Sequence, residues 1–425
     1  MPHNYPQFFR VRQKFERPRV EDIPGEVERQ LAKLNLGQKV MPGQSVAITA
    51  GSRGIANIAV VLKAIVAHFQ KLGTKPFLVP AMGSHANGIA AGQVGILHGY
   101  GITEEFCGCP IRATMETKIV CQAPEGFPVH IDKFASEADH VVICNRVKPH
   151  TEFTGDLESG VMKMMLLGLG KHEGAKIYHR AIIDHSFGQI VRSVANKVMA
   201  ECRVVAGIGI VENGYDETAL VEAMHPQDIE PREKELLVQA KKWMPRLPFD
   251  YVHLLIVDEM GKNISGAGMD TNVVGRKYNR ARAVEGEFPK VRRIIVRGIS
   301  QASHGNVVGL GIADFCKTRL IREHDKATTW TNILASGNTS AVKYPFNYET
   351  DREILDAALP TIGLTEPPDA KILWIKNTLQ LAEVECSAAY LADAKQREDL
   401  EVLTPLRDLP LDAEGNLPKF ELGHV

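Results

Sequence analysis

The sequence predicts an α/β protein of two domains, each with mostly parallel sheet flanked by helices. Three observations carry this. Short apolar runs alternate with longer segments of helical period along most of the 425 residues, the pattern of parallel strands covered by crossover helices. The chain is longer than one hydrophobic core usually serves. A stretch with two prolines, KKWMPRLPFD at 241–250, interrupts the alternation. The expected division is an α/β domain over 1–245 and a second over 250–405. Residues 406–425, rich in Pro, Gly and acid, should pack on the surface.

Taken in order, QSVAITA reads as a strand that ends at GSRG, and IANIAVVLKAIVAHFQKLG follows as a helix. KPFLVPA is the next strand, ending at MGSHANG, with IAAGQVGILHGYG as its helix. ADHVVICN is a third strand. VVAGIGIVEN, YVHLLIVDEM, VRRIIVRGIS and AKILWIKN follow as later strands. Their near-continuous Val/Ile/Leu content suits strands buried on both faces.

A net charge of −1 gives no global reason to expect nucleic acid or a membrane surface as partner. No run of about 20 apolar residues is present, and MPHNYPQFFRVRQKF has no signal-like apolar core. Seven scattered cysteines fit a reducing compartment better than a disulfide scaffold, so a cytoplasmic protein is expected. Cys107 and Cys109 form the one close pair, without a second pair to complete a metal site. No GxGxxG follows a strand with an acid about 20 residues on, which argues against a dinucleotide-binding oxidoreductase.

Chemistry-bearing residues gather at predicted strand ends. Thr49-Ala50-Gly51-Ser52-Arg53 offers small residues and a guanidinium to an anion. His85, between small residues in GSHANG, suits general acid–base work. The richest segment is 145–180, NRVKPHTEFTGDLESGVMKMMLLGLGKHEGAKIYHR. It holds His150 after a proline, Lys163 in an apolar run, and His172 and His179. An apolar setting favours a nucleophilic or covalent role for a lysine. His179 lies sixteen residues beyond Lys163, which on one straight helix turns the two about 160° apart. The glycines at 168 and 170 should break that helix and start another at Lys171, letting the two converge. In the second block, GKNISG offers Lys262 to a carboxylate and Asn263 and Ser265 to hydroxyls. His304 ends another predicted strand similarly.

This spaced set resembles the lactate racemase family, the nickel-pincer-nucleotide enzymes, as a divergent branch. The family's T-D-x-T-R turn is similar to Thr49–Arg53, with Ala50 in place of the acid. Its G-x-H turn is matched by Gly83-Ser84-His85, and its P-H dipeptide by Pro149-His150. Its cofactor lysine and nickel-ligating histidine are matched by Lys163 and His179. The TEFTGDLESGVM stretch between His150 and Lys163 is longer than the family's.

The resemblance implies two α/β domains with the active site in the cleft between them. It implies racemisation or epimerisation of a 2-hydroxy acid by hydride transfer to and from a covalently bound nickel-pincer nucleotide (pyridinium-3-thioamide-5-thiocarboxylic acid mononucleotide). His85 and His150 would be catalytic; Lys163, Thr49 and Arg53 would hold the cofactor; His179 would ligate nickel. Arg53 and Lys262 would bind the substrate, Lys262 as an analogue of the family's carboxylate-binding lysine. Cofactor-maturation proteins would be partners, and a homo-oligomer is left open. The competing expectation is a metal-dependent hydrolase or lyase with His85, His150 and His179 as ligands.

Overall fold

The computed structural model describes residues 5–52, 54–276 and 288–423, without the side chains of 87, 335 and 336. The chain forms two compact units, 17–244 and a second made of 1–16 with 245–425. It opens with strand β1 (Phe8–Gln13), which belongs to that second unit.

The 17–244 unit follows the expected alternation. After helix α1 (Ile23–Ala32) come β2 (Ser45–Ala50), α2 (Ile58–Lys71), β3 (Lys75–Pro80), α3 (Ala90–Gly99) and the short α4 (Glu104–Cys107). A hairpin, β4 (Thr117–Gln122) and β5 (Pro128–Asp132), leads into α5 (Lys133–Glu137) and β6 (His140–Arg146). Then follow α6 (Val161–Lys163), α7 (Lys171–Asp184), α8 (Phe187–Glu201), the strands β7 (Val204–Glu212) and β8 (Thr218–Met224), and α9 (Ile229–Trp243).

The five-stranded sheet has order β3-β2-β6-β7-β8, parallel except for β8. Successive residues of its inner strands bury to opposite faces. Ala47, Val79, Val141 and Ile143 pack under Val161, Met165, Leu166 and Ile190. Val46, Ile48, Leu78 and Val142 pack under Val27, Leu62, Ile65 and Phe69. The α2 positions 58, 61, 62, 65, 66 and 69 are all buried, the stripe that helical spacing creates. Strand order reverses at β2, whose neighbours β3 and β6 lead in opposite directions. Sheets of this kind open their ligand crevice beyond the carboxyl ends of the strands at such a point.

The second unit carries an eight-stranded sheet. Its strands are β9 (Tyr251–Val257), β10 (Lys290–Val296), β11 (Phe315–Lys317), β12 (Phe346–Tyr348), β13 (Ile372–Ile375), β14 (Glu383–Ser387) and β15 (Leu400–Val402), with β1. The order is β12-β11-β10-β9-β13-β14-β1-β15, parallel from β12 to β13 and antiparallel beyond.

Two features differ from the sequence expectation. Residues 8–13 pair between β14 and β15 rather than joining the first block. The closing segment is built in rather than laid on the surface: Leu417 and Phe420 are buried against Ile256, Trp374 and Leu355. Arg297 donates to the carbonyls of Leu417 and Pro418, and Phe420 N–H donates to Asp258. Among the described residues no helix is long and apolar enough to cross a membrane, and all seven cysteines are free.

Candidate active site

Four segments meet beyond the carboxyl ends of β2, β3 and β6. The first is the turn after β2. A Cβ on Gly51 would sit 3.3 Å from Met164 Cε and 3.7 Å from Asn145 Oδ1, so this turn lies against the chain that carries Lys163. Ser52 Oγ hydrogen-bonds His85 Nδ1, and Tyr100 donates to Ser52 O at 2.9 Å. Glu212, at the end of β7, accepts from Ala56 N at 2.6 Å and pairs with Arg146, anchoring the same turn. Arg53 lies outside the described residues.

The second segment is the His85 turn. Gly83 has φ +59, a left-handed geometry, and a Cβ there would stand 2.9 Å from Leu167 O. Only glycine fits that approach without strain. Gly83 N donates to Gly168 O at 3.2 Å. Gln93, fully buried, donates to Gly83 O at 3.1 Å and His85 O at 3.3 Å.

The third is the loop after β6, closed by paired backbone bonds between Lys148 and Ser159 (2.9 and 3.3 Å). His150 N donates to buried Glu158 at 2.6 Å, and Glu158 pairs with Lys241 at 2.6 Å. The His150 ring stacks on Phe153 at 4.5 Å, and Phe153 on Phe187 at 4.3 Å. Nδ1 of His150 accepts from Glu152 N at 3.0 Å and Phe153 N at 3.1 Å.

The fourth runs from α6 into α7. Lys163 ends α6, residues Met164–Gly168 form a π-helical turn, and α7 begins at Lys171 in a left-handed conformation, φ +54. The extra residue of the π turn and the left-handed start redirect the chain, so the two helices do not share an axis. Burial first, and then the nearby Lys163 charge, push His179 down to about 4. Lys163 and His179 are therefore brought within electrostatic reach, with the imidazole neutral. His172 lies under the Gly88 turn, 3.7 Å from the position of a Cβ there, and its Nδ1 is buried without a hydrogen-bond partner.

The remaining predicted residues sit differently. Thr49 is fully buried inside the sheet; its hydroxyl donates to Cys144 O at 3.3 Å and accepts from Cys144 N at 2.9 Å. It joins β2 to β6. Lys262 belongs to the second unit, where Nζ donates to Gly266 O at 2.7 Å within its own loop. Asn263 accepts from Ser300, so the loops after β9 and β10 brace each other. His304, exposed, caps a turn at φ +47. Among the described residues, no three His, Cys, Asp or Glu group to hold a metal. His85, His150 and His179 thus do not form the ligand set of the competing hydrolase expectation. A surface cavity of about 820 Å³, lined by Arg19, Glu26, Arg29 and Arg232 among others, includes none of the site residues.

Two groups were missed. Lys171 and Asp132, both 0% exposed, pair at 3.0 Å. Lys171 also donates to Pro80 O and to Gln93 Oε1, tying α7 to the end of β3 and the His85 turn. Burial works against both charges, raising Asp132 and lowering Lys171. Nothing in GLGKHEG marks this lysine as buried. Glu233 left a trace: with Ile229, Leu236, Leu237 and Ala240 it occupies the buried stripe of α9, where an acid is unexpected. Its carboxyl accepts from Met162 N at 2.8 Å and so caps the turn that carries Lys163.

Burial drives Glu233 up to about 7 from 4.5, against the pull of the backbone N–H bonds. The folded state therefore holds this proton more tightly than the unfolded state. The stability it contributes is full below about 4.5 and is lost as pH rises through 7, on the order of 3 kcal/mol. Gln at 233 keeps an acceptor and removes the titration. In urea denaturation, Glu233→Gln should lose less stability than the parent between pH 5 and 8; identical pH dependence would show that Glu233 does not carry this proton.

No protein-family model and no curated protein matches the sequence. The fold, however, is similar to that of the lactate racemase apoprotein from Thermoanaerobacterium thermosaccharolyticum, with a TM-score of 0.51 at 15% identity. The match covers 89% of this chain and 95% of that one. The chain thus has a lactate-racemase-like α/β fold.

Proposed function

We propose that this chain is an isomerase, a racemase or epimerase of a small 2-hydroxy acid that works with a nickel-pincer nucleotide. The observation that carries the proposal is the approach of Lys163 to a half-buried His179, whose pKa is pushed down to about 4, across the π turn, in a chain of this fold. The donor set fits the group. A neutral imidazole offers its lone pair to a soft, late transition metal at ordinary pH. Lys163 supplies the amine for covalent attachment, and Gly51 keeps the facing turn free of side chain. When bound, the nucleotide would supply hydride acceptance from the substrate's α-carbon and its return.

The rest belongs to the protein. His85 takes the hydroxyl proton, its ring oriented by Ser52. Gln93 and Lys171 hold the backbone of the His85 turn. Arg53 is assigned to an anion of cofactor or substrate. Lys262 bonds its own loop and is given no part in proton transfer. Maturation proteins would load the cofactor, and seven free cysteines fit residence in a reducing cytoplasm.

The test is intact mass, nickel content and racemisation over a 2-hydroxy-acid panel, after co-expression with cofactor-maturation enzymes. Wild type should carry a covalent nucleotide adduct. Lys163→Ala should carry none, and His179→Ala should keep the adduct but lose nickel. An unmodified wild type, with a known lactate racemase loaded in parallel, would overturn the proposal.

A further inference from the structure

The resemblance treats His85 and His150 as an equivalent acid–base pair. Their surroundings are unlike. Nδ1 of His150 faces two backbone donors, Glu152 N at 3.0 Å and Phe153 N at 3.1 Å. Both bonds need its in-plane lone pair, so Nδ1 carries no proton. A neutral imidazole has one N–H, which places it on Nε2. The ring is not free to turn over. It stacks on Phe153 at an interplanar angle of 11°, Phe153 stacks on Phe187, and the His150 backbone is bonded to Glu158. A ring flip would put Cδ2 where Nδ1 stands and break both bonds.

We propose that His150 serves this site as a neutral hydrogen-bond donor through Nε2–H and moves no proton, leaving proton transfer to His85 alone. The inference rests on the function proposed above. As a base, Nε2 of His150 has no lone pair to offer. As an acid from the neutral ring, it would leave an imidazolate. As an imidazolium, it would point a third N–H at two N–H donors. At His85, Nδ1 faces the Ser52 hydroxyl, which accepts as readily as it donates. With Nδ1–H donating to Ser52, the lone pair of His85 lies on Nε2, the form a base needs.

The role that remains for His150 is to hold an oxygen of the 2-hydroxy acid and of the 2-oxo acid derived from it, where a neutral donor stabilises developing negative charge. The chemistry balances with one base. The substrate O–H would break as N–H forms on His85, while the C–H electron pair would pass as hydride to the nucleotide, when bound, and come back from it. When hydride returns to either face of the carbonyl, His85 gives the same proton back to the same oxygen. No net oxidant or reductant is needed. Stereochemical inversion then comes from reorientation of the 2-oxo acid, not from a second proton donor.

Two measurements test this. In the apoprotein labelled with ¹⁵N-histidine, long-range ¹H–¹⁵N correlation should show His150 neutral, with Nε2 protonated and Nδ1 bare. A proton on Nδ1 would overturn the proposal. This readout needs neither cofactor nor activity, so it decides the tautomer even if the proposed function fails. In cofactor-loaded enzyme, His150→Gln keeps a side-chain N–H at the reach of Nε2. His150→Asn instead keeps an acceptor for the Glu152 and Phe153 N–H groups but loses that donor. The Gln variant should stay within about tenfold of wild-type kcat, the scale of one altered hydrogen bond. His150→Asn should fall further while its Tm stays near that of wild type. His85→Gln should fall about 10²–10⁴-fold. A His150→Gln loss as large as that of His85→Gln would show that His150 transfers a proton after all.

Discussion

Replacing Lys171 by methionine should destabilise residues 17–244 by about 3–5 kcal/mol, the usual result of stripping one partner from a buried ion pair. The side chain is fully buried. Without it, Asp132 loses its 3.0 Å partner, and Pro80 O and Gln93 Oε1 each lose a donor. Asp132 then either stays charged without compensation or takes up a proton. Adding Asp132→Asn should restore a large part of the loss, because Asn keeps the acceptor that caps Ala135 N at 2.9 Å and carries no charge. A denaturation double-mutant cycle measures the coupling. Additive losses in the double variant would mean that the pair is not the source of the effect. Hydrogen exchange should localise the damage to the His85 turn, since Gln93 connects it to Lys171.

The second large effect is expected at the other end of the chain. Ending the protein after Gly415 should cost the second unit about 5 kcal/mol or more. Leu417 and Phe420 are buried, and each such side chain contributes about 1.5–3 kcal/mol. The same cut removes two carbonyl acceptors from Arg297, the Leu417 N–H donor to Asp351 at 2.9 Å, and the Phe420 N–H donor to Asp258 at 2.7 Å. Three charged side chains would be left with unmet bonds in the interior. Limited proteolysis should then cut within 245–415 first and leave 17–244 resistant. Resistance of the truncated second unit equal to that of the full chain would mean that the segment contributes little.

The contrast between what could and could not be read from sequence is physical. Strands β2, β3, β6, β7, β9, β10 and β13 announced themselves because buried parallel strands need continuous apolar runs. Strand β1 reads FFRVRQ, with Phe8 and Val11 buried among arginines. Its partners lie so far along the chain that no local pattern points to them. The closing segment looks like surface by composition because only Leu417 and Phe420 mark its burial, and many of its bonds come from its backbone, which composition does not report.

At the site, the histidines and Lys163 were visible as chemical types in small-residue settings. The break between Lys163 and His179 was legible in its glycines, though not its π-helical form. The Lys171–Asp132 pair was invisible, since its burial depends on three segments meeting. The tautomer of His150 is likewise set by two backbone N–H groups of a turn, which sequence does not display. Thr49 was read toward a ligand; the register of β2 with β6 turns its hydroxyl to Cys144 instead.

Strand β1 has a consequence for how the chain is made. It leaves the ribosome long before the strands it pairs with: Arg12 and its ion-pair partner Glu383 are 371 residues apart. At about 5–20 residues per second, β1 waits on the order of tens of seconds for a neighbour. In that interval residues 17–244, whose strands pair among themselves, can already fold. The second unit cannot close until β14 and β15 arrive to flank β1. Synthesis therefore imposes an order: the half bearing Lys163 and His179 matures first, while a strand with two unpaired edges trails from its amino end. Stalled nascent chains of about 300 residues should show a protease-resistant core over 17–244 and an accessible β1. Such a chain leaves Phe8, Phe9 and Val11, buried in the finished fold, without their cover until β14 and β15 are made.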